Sequence, residues 1–303
     1  MIEVTFLGTV SGVPTKDRNH SALLFTHCAE KKETMLLDCG EGTQRQMLIA
    51  GVNFMDIDKI FITHWHADHF AGLIPLIQTM NLERRQKPLY IFAPEAERFV
   101  ADIVDMGYFG LKFEVEAVNL PFEGDEPHKI FETEDYEMYS IPTEHTVPSV
   151  AFAMREKDRW NIDMAKVKKL KMKPGSWMKA LKERGEAEYN GKKIKLKDLA
   201  SGSPGLKVVY TGDTKPCRTV EKISEGADLL IHDGTFLELE DSKGKHHADI
   251  SQAAKVAKAA GVKQLILTHI SRRYTDTKPL EKAAKRLFKN TRIAHDFMKV
   301  KVE

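Results

Sequence analysis

The chain has 303 residues, 42% of them hydrophobic and 30% charged, with a formal net charge of +2. That is length enough for one large domain with a full core, an ordinary globular composition, and a charge too close to zero to argue by itself for or against a polyanionic partner. No apolar run approaches the ~18 residues of a membrane helix, MIEVTFLGTV lacks the basic leader of a signal peptide, and Cys28, Cys39 and Cys217 show no paired spacing, so neither a membrane nor a disulfide framework is expected and a reducing cytoplasm is the simplest compartment.

In chain order, β-branched and aromatic runs predict strands at Ile2–Leu7, Ser21–Phe25, Thr34–Asp38, Lys59–Thr63 and Leu89–Phe92, with helical patterns at Gly42–Ala50, His69–Arg84 and Pro94–Met106. Strands follow at Tyr136–Pro142, Ser149–Ala153, Lys207–Thr211, Leu229–His232 and Gln264–Thr268, and helices at Ser251–Ala260 and Lys278–Leu287. Strand adjoins strand in the first quarter and alternates with helix later, which predicts an α/β chain with at least one mixed sheet.

Arg155–Leu199 stands apart. It holds 15 Lys and Arg against 7 Asp and Glu, a net of +8, which leaves −6 for the rest. Rich in Lys, poor in strong hydrophobics and broken by turns at Pro174–Gly175 and Asn190–Gly191, it reads as an excursion from the core and not as a second core. A short Lys run is ordinarily a solvated face; a bias shared by a whole segment also fits a docking arm for a polyanion.

The sharpest local signal is the apolar strand that runs into His64-Trp65-His66-Ala67-Asp68-His69. His64 and His66, two apart, point to one side of an extended backbone. Asp68 and His69 sit at the entry of the next helix. Neutral imidazole and carboxylate suit Zn²⁺, Mn²⁺ or Fe. Single histidines pack or face solvent; four ligand-type residues in six at a strand end do not read that way. Three further predicted strands close on ligand-type residues: Glu144-His145 after Tyr136–Pro142, Asp213 after Lys207–Thr211, and His269 after Gln264–Thr268. Together they make up a set for two metal ions at one sheet edge.

These residues resemble the metallo-β-lactamase superfamily, whose signature is HxHxDH followed by a separate His, Asp and His. Phe6-Leu7-Gly8-Thr9 with Gly12, Pro14-Thr15 and Arg18-Asn19, the block Asp38-Cys39-Gly40-Glu41-Gly42-Thr43-Gln44-Arg45-Gln46, then Tyr210-Thr211-Gly212-Asp213-Thr214 and His269-Ile270-Ser271-Arg272-Arg273-Tyr274, are similar to the tRNase Z family within it. The resemblance spans almost the whole chain. It implies one domain over 1–303 of αββα sandwich type, with two mixed sheets face to face and helices outside, and a protruding basic tRNA-binding arm inserted at 155–205. It implies two Zn²⁺ per subunit, with Mn²⁺ or Fe as alternatives: one held by His64, His66 and His145, the other by Asp68, His69 and His269, with Asp213 bridging. Two such ions clamp the oxygens of an in-line displacement at phosphorus, and Asp68 doubles as proton acceptor for the attacking water.

The implied reaction cuts the 3′ trailer from precursor tRNA, leaving a 3′-hydroxyl on the tRNA and a 5′-phosphate on the trailer. His247 matches the family histidine that protonates the leaving oxygen, although by itself it reads as a surface residue of the polar loop Asp241–Asp249. Its supporting acid is Asp233, one methylene shorter than the family glutamate. In the arm, Ser176 follows Pro174-Gly175 where the family has proline, Lys179 stands where a small residue is common, and Trp177 is expected to pack within the arm. The family also implies a homodimer in which the arm of one subunit serves the other's site. The competing readings are a general binuclear phosphodiesterase for small esters or cyclic nucleotides, which shares the metal chemistry but has no use for the basic segment, and a metal-dependent RNA-binding protein without catalysis, against which the full ligand set and His247 argue.

Overall fold

The computed structural model describes residues 1–106, 110–238 and 246–303. The chain divides into two compact units, one of Met1–Glu132, Glu137–Met154 and Leu206–Glu303, the other of Thr133–Tyr136 and Arg155–Gly205.

Before the second unit the chain forms β1 (Ile2–Gly8), β2 (Val10–Ser11), β3 (Ala22–Cys28), β4 (Lys32–Leu37), α1 (Thr43–Ile49), β5 (Lys59–Phe61), α2 (Ala67–Phe70), α3 (Leu73–Leu82), β6 (Leu89–Ala93), α4 (Ala96–Asp105), β7 (Val115–Asn119), β8 (His128–Glu132), β9 (Tyr136–Pro142) and β10 (Val150–Glu156). The second unit contributes β11 (Arg159–Ile162), α5 (Met164–Lys169), α6 (Trp177–Arg184), β12 (Glu186–Tyr189), β13 (Lys192–Lys195), α7 (Leu196–Leu199) and β14 (Ala200–Ser203). Then come β15 (Lys207–Tyr210), α8 (Arg218–Ser224), β16 (Leu229–Asp233), α9 (Ile250–Ala259), β17 (Leu265–Thr268), β18 (Ile270–Ser271), α10 (Lys278–Leu287), β19 (Thr291–Ile293) and β20 (Lys299–Val302).

The first unit holds two mixed sheets. One has the order β20-β1-β3-β4-β5-β6-β7, antiparallel as far as β4 and parallel beyond it. The other has the order β19-β17-β16-β15-β10-β9-β8, with β15, β16, β17 and β19 parallel. The period-two alternation of strands decides which side chains face where. Leu24, Leu36, Ile60 and Ile91 join residues of α1, α3 and α4 in one buried cluster. One residue further along β5, Phe61 faces the other way and meets Phe131 and Phe152 of the second sheet, with ring centroids 6.2 and 5.3 Å apart. On the far side, Val209, Leu230 and Leu265 pack with Val220, Ala253, Ala257, Leu280 and Ala284 from α8, α9 and α10. The layers therefore run helix, sheet, sheet, helix.

Two expectations change. The helix expected over His69–Arg84 is broken between α2 and α3, because the Gly72 N–H goes to the Cys39 carbonyl (2.8 Å) and not to the carbonyl four residues back. A Cβ on Gly72 would lie 2.2 Å from the Gly40 oxygen, so only glycine lets the two backbones pass. The basic segment, expected to lack a core, has a small one: Val167, Trp177, Leu181, Leu196, Leu199 and Ala200 cluster and are buried. Trp177 is inside it, its Nε1–H donating to the Lys173 carbonyl at 2.9 Å and its ring edge-on to Tyr189. Ile162, Met172, Met178, Ala187, Tyr189 and Ile194 pack against this cluster and are partly buried. The Asn190–Gly191 turn joins β12 to β13 with both residues at positive φ, 51° and 76°, as a two-residue hairpin turn requires.

Candidate metal centre

The strand ends of the two sheets deliver the site. β5 leads to His64 and to His66, which precedes α2; α2 carries Asp68 and His69; β9 leads to His145, β15 to Asp213, β16 ends on Asp233, and β17 leads to His269. Gly212, at φ +59°, bends the chain so closely past Thr63 that a Cβ there would lie 2.7 Å from the threonine side chain. This brings Asp213 of the second sheet against His64 and His69 of the first.

Two triads result. His64 Nε2 lies 3.0 Å from His66 Nδ1, and His145 Nε2 lies 3.1 Å from the same atom. His69 Nε2 lies 3.3 Å from His269 Nε2, which lies 3.3 Å from Asp68 Oδ2. Asp213 Oδ2 is 3.8 Å from His64 Nε2 and 3.3 Å from His69 Nε2, so it reaches both. All seven ligand-type residues singled out in the sequence are thus gathered, in overlapping groups suited to holding cations.

The outer hydrogen bonds decide which nitrogen of each imidazole is bare. His145 Nδ1 faces the His246 carbonyl at 3.0 Å, and a carbonyl only accepts, so Nδ1 carries the hydrogen. His69 Nδ1 donates to Asp38 Oδ2 at 2.7 Å. The Thr63 hydroxyl donates to Asp38 (3.0 Å to Oδ1) and so accepts from His64 Nδ1 at 3.0 Å. The Thr235 hydroxyl donates to Asp233 Oδ1 at 2.6 Å and accepts from His269 Nδ1 at 3.0 Å. Four Nε2 lone pairs are left pointing inward. Bare lone pairs about 3 Å apart repel one another unless a cation sits among them. Ligands at ~2.0–2.1 Å around a tetrahedral zinc stand at about this mutual separation. The donor set therefore fits the metal that the family resemblance implies.

The electrostatics differ between the imidazoles. Burial, helped by the neighbouring His69, holds the His64 imidazole well below its ordinary value, in the neutral form a ligand needs. Burial works against the Asp213 carboxylate, yet His269 and His69 hold it well below the carboxylate range. Burial likewise opposes a charge on His69, but Asp213 and Asp38 outweigh it and push that imidazole well above its ordinary value. A pocket with Asp38, Asp213 and Asp233 almost wholly buried calls for positive charge, as protons or as metal.

His247 joins the site. Its Nδ1–H donates to Asp233 Oδ2 at 2.8 Å, and its ring stacks on His269 with centroids 5.4 Å apart. The shorter acid thus still makes the contact. Burial lowers the His247 imidazole, but Asp233 more than reverses that and raises it to about 9. Of the loop Asp241–Asp249, residues 241–245 lie outside the described residues. Sequence reasoning did not assign roles to Asp38, Thr63, Tyr210 and Thr235. Asp38 is the centre of one hydrogen-bond network: it is fully buried, at φ 55°, and takes hydrogen bonds from the Thr63 N–H (2.8 Å), His69 and the Tyr210 hydroxyl (2.7 Å). The signal available for it was an acid directly after a buried strand, in the Asp-Cys-Gly-Glu-Gly block.

Known proteins resemble this chain in sequence and fold. Residues 2–173 match the family model described as anti-Pycsar protein Apyc1, and residues 198–270 match the β-lactamase superfamily domain. The ribonuclease Z of Methanosarcina acetivorans is 39% identical over 308 aligned residues, covering 100% of this chain and 98% of that protein. That of Thermococcus sibiricus is 41% identical over 94% of this chain and 91% of that protein. The crystal structure of the human tRNase Z short form superposes with a TM-score of 0.69 at 25% identity, covering 99% of both chains.

Proposed function

The chain belongs to the ribonuclease Z family of the metallo-β-lactamase superfamily, with residues 2–173 also within the family described as anti-Pycsar protein Apyc1, and from the full-length kinship we propose the reaction it performs. It is a hydrolytic endoribonuclease of tRNA processing. It removes 3′ trailers from precursor tRNA with two zinc ions, leaving a 3′-hydroxyl on the tRNA and a 5′-phosphate on the trailer. The observation that carries this reading is the full-length kinship to ribonuclease Z, and the pair of facing triads with Asp213 reaching both supports the hydrolytic chemistry.

His64, His66 and His145 would hold one zinc, Asp68, His69 and His269 the other, and Asp213 both. When bound, the pair supplies Lewis-acid stabilisation of the charge that develops on the phosphoryl oxygens and eases deprotonation of the attacking water. Asp68 accepts that proton. Its Oδ2 is oriented by the Gly12 N–H at 2.9 Å, and although burial opposes its charge, His269 and His69 hold its carboxyl well below the usual range. As the water oxygen bonds to phosphorus and the P–O3′ bond breaks, His247 gives the proton on its Nε2 to the leaving 3′-oxygen. Asp233, bonded to Nδ1–H, sustains the imidazolium that this requires. The unit of Arg155–Gly205 recognises the tRNA by shape and phosphates, for which lysine density matters more than any one side chain.

The protein works in the cytoplasm, as its unpaired cysteines suit; among the described residues no helix is long and apolar enough to cross a membrane. Two copies assemble. The exposed Leu48 and Ile49 of α1 and Leu82 of α3 offer apolar surface for a second copy to cover, and sedimentation checks this. The deciding experiment incubates the zinc-loaded protein with a 3′-extended tRNA and maps the cut. One cut between body and trailer with 3′-hydroxyl and 5′-phosphate ends is expected. No cut, or a 3′-phosphate on the body, overturns the proposal.

A further inference from the structure

We propose that the solvent face of α10, with Arg272 three residues past His269, is a docking track for the phosphate backbone of the RNA substrate. This rests on the endoribonuclease reading above. Between Arg272 and Lys289 stand seven Lys and Arg against two Asp and Glu, a net of +5. With the +8 of Arg155–Leu199, this leaves −11 for the remaining residues. Outside the basic second unit and this stretch, the chain thus carries a net negative charge.

The helix sorts its residues by face. Lys278, Lys282 and Lys285 recur at i, i+4 and i+7, with Arg286 next to them, and all four are exposed. Leu280 and Ala284, on the opposite side, are buried in the core of the second sheet. A membrane-binding helix would expose its apolar face; this one has its apolar face covered. Lys285 and Arg286, in the last turn of α10, suit the helix dipole, but Lys278, its first residue, does not. Most of the cations are not neutralised: Lys285 pairs with Glu281, but among the described residues Arg272, Lys278, Lys282 and Arg286 make no ion pair. Lys222 and Lys263 of the same unit pair with Glu126 and Asp228.

Topology aims the stripe. β17 and β19 are parallel and adjacent, and α10 is the crossover between them. Its first turn therefore lies toward the sheet edge where β17 hands the chain to His269, and the helix runs about 15 Å back from that edge. Arg272 is three residues past His269, and the neighbouring Arg273 is braced over the Phe236 ring at 5.3 Å. A chain whose scissile phosphate sits at the cations can extend its flanking phosphates along this line.

The test compares steady-state cleavage of a 3′-extended tRNA by the zinc-loaded wild type and by the triple variant Lys278→Gln, Lys282→Gln, Arg286→Gln. Salt is varied from about 50 to about 200 mM. Melting temperature and zinc content check that the variant is folded and loaded. KM is expected to rise about tenfold with kcat within about twofold, and the slope of log KM against log salt to fall by about 2 to 3, because each lost phosphate contact removes nearly one unit. A control variant, Lys31→Gln, Lys299→Gln, Lys301→Gln, removes the same charge from another surface and is expected to leave KM within about twofold. An unchanged KM and slope in the triple variant overturns the docking track, as does an equal loss in the control. Failure of the wild type to cut the tRNA would instead overturn the endoribonuclease reading itself.

Discussion

Thr235 accepts a hydrogen bond from His269 Nδ1 and donates one to Asp233, whose other oxygen holds His247. One carboxylate thus orients both a candidate metal ligand and the candidate proton donor. Thr235→Val keeps the shape and removes the hydroxyl, leaving His269 to turn toward Asp213 Oδ1, 3.2 Å away. One of the two zinc affinities is expected to fall about 10–100-fold in a chelator titration, as for other lost outer partners of metal ligands. Thr235→Ser should restore it, and wild-type affinity in the valine variant would refute the role. His66→Ala removes the nitrogen shared by the His64 and His145 contacts, so zinc content and activity should both be lost; retained zinc would refute the ligand assignment. His247→Ala should lower kcat by about 10²–10⁴ with zinc content intact, because proton donation is a separate contribution from metal binding.

At the scale of elements, the predicted strands lie where the pattern put them, and the strands that were not predicted include all four sheet edges: β7 and β20 of the first sheet, β8 and β19 of the second. An edge strand buries little and carries charge against further pairing, as the exposed lysines of Lys299–Val302 and the exposed His128 and Lys129 of β8 show. Their hydrophobic signal is weak for the same reason that they end the sheet. The break between α2 and α3 was hidden for a different reason, since it depends on the Cys39 carbonyl from far away in sequence. Gly72→Ala should destabilise the fold by about 1–3 kcal/mol in denaturant unfolding, the usual magnitude of forced overpacking. Stability equal to wild type would mean that the Gly40 backbone yields easily.

For the whole molecule, the charge is divided unevenly. The second unit has its own core and its own hairpin, and its ends lie side by side, with a Cβ on Gly205 only 1.8 Å from the Glu156 carbonyl. Replacing 157–204 by a short turn should therefore spare the two sheets. Cleavage of precursor tRNA is expected to fall by orders of magnitude while a small phosphodiester is still hydrolysed. Equal losses on both substrates would remove the unit from RNA recognition.

Ligand chemistry is local in sequence: an imidazole or a carboxylate at the end of an apolar strand can be read without knowing where the strand goes. His64, His66, Asp68, His69, His145, Asp213 and His269 were legible for that reason, and so was the lysine bias of Arg155–Leu199. Which nitrogen of each imidazole is bare was not legible, because it depends on partners such as Asp38, Thr63, Thr235 and the His246 carbonyl that only folding brings within about 3 Å. The cross-sheet bond from Tyr210 to Asp38, the sharing of Asp233 between His247 and Thr235, and the burial that sets their charges were likewise decided by the tertiary structure. Hydrogen bonding and desolvation act through space, and the order of residues along the chain does not encode those distances directly.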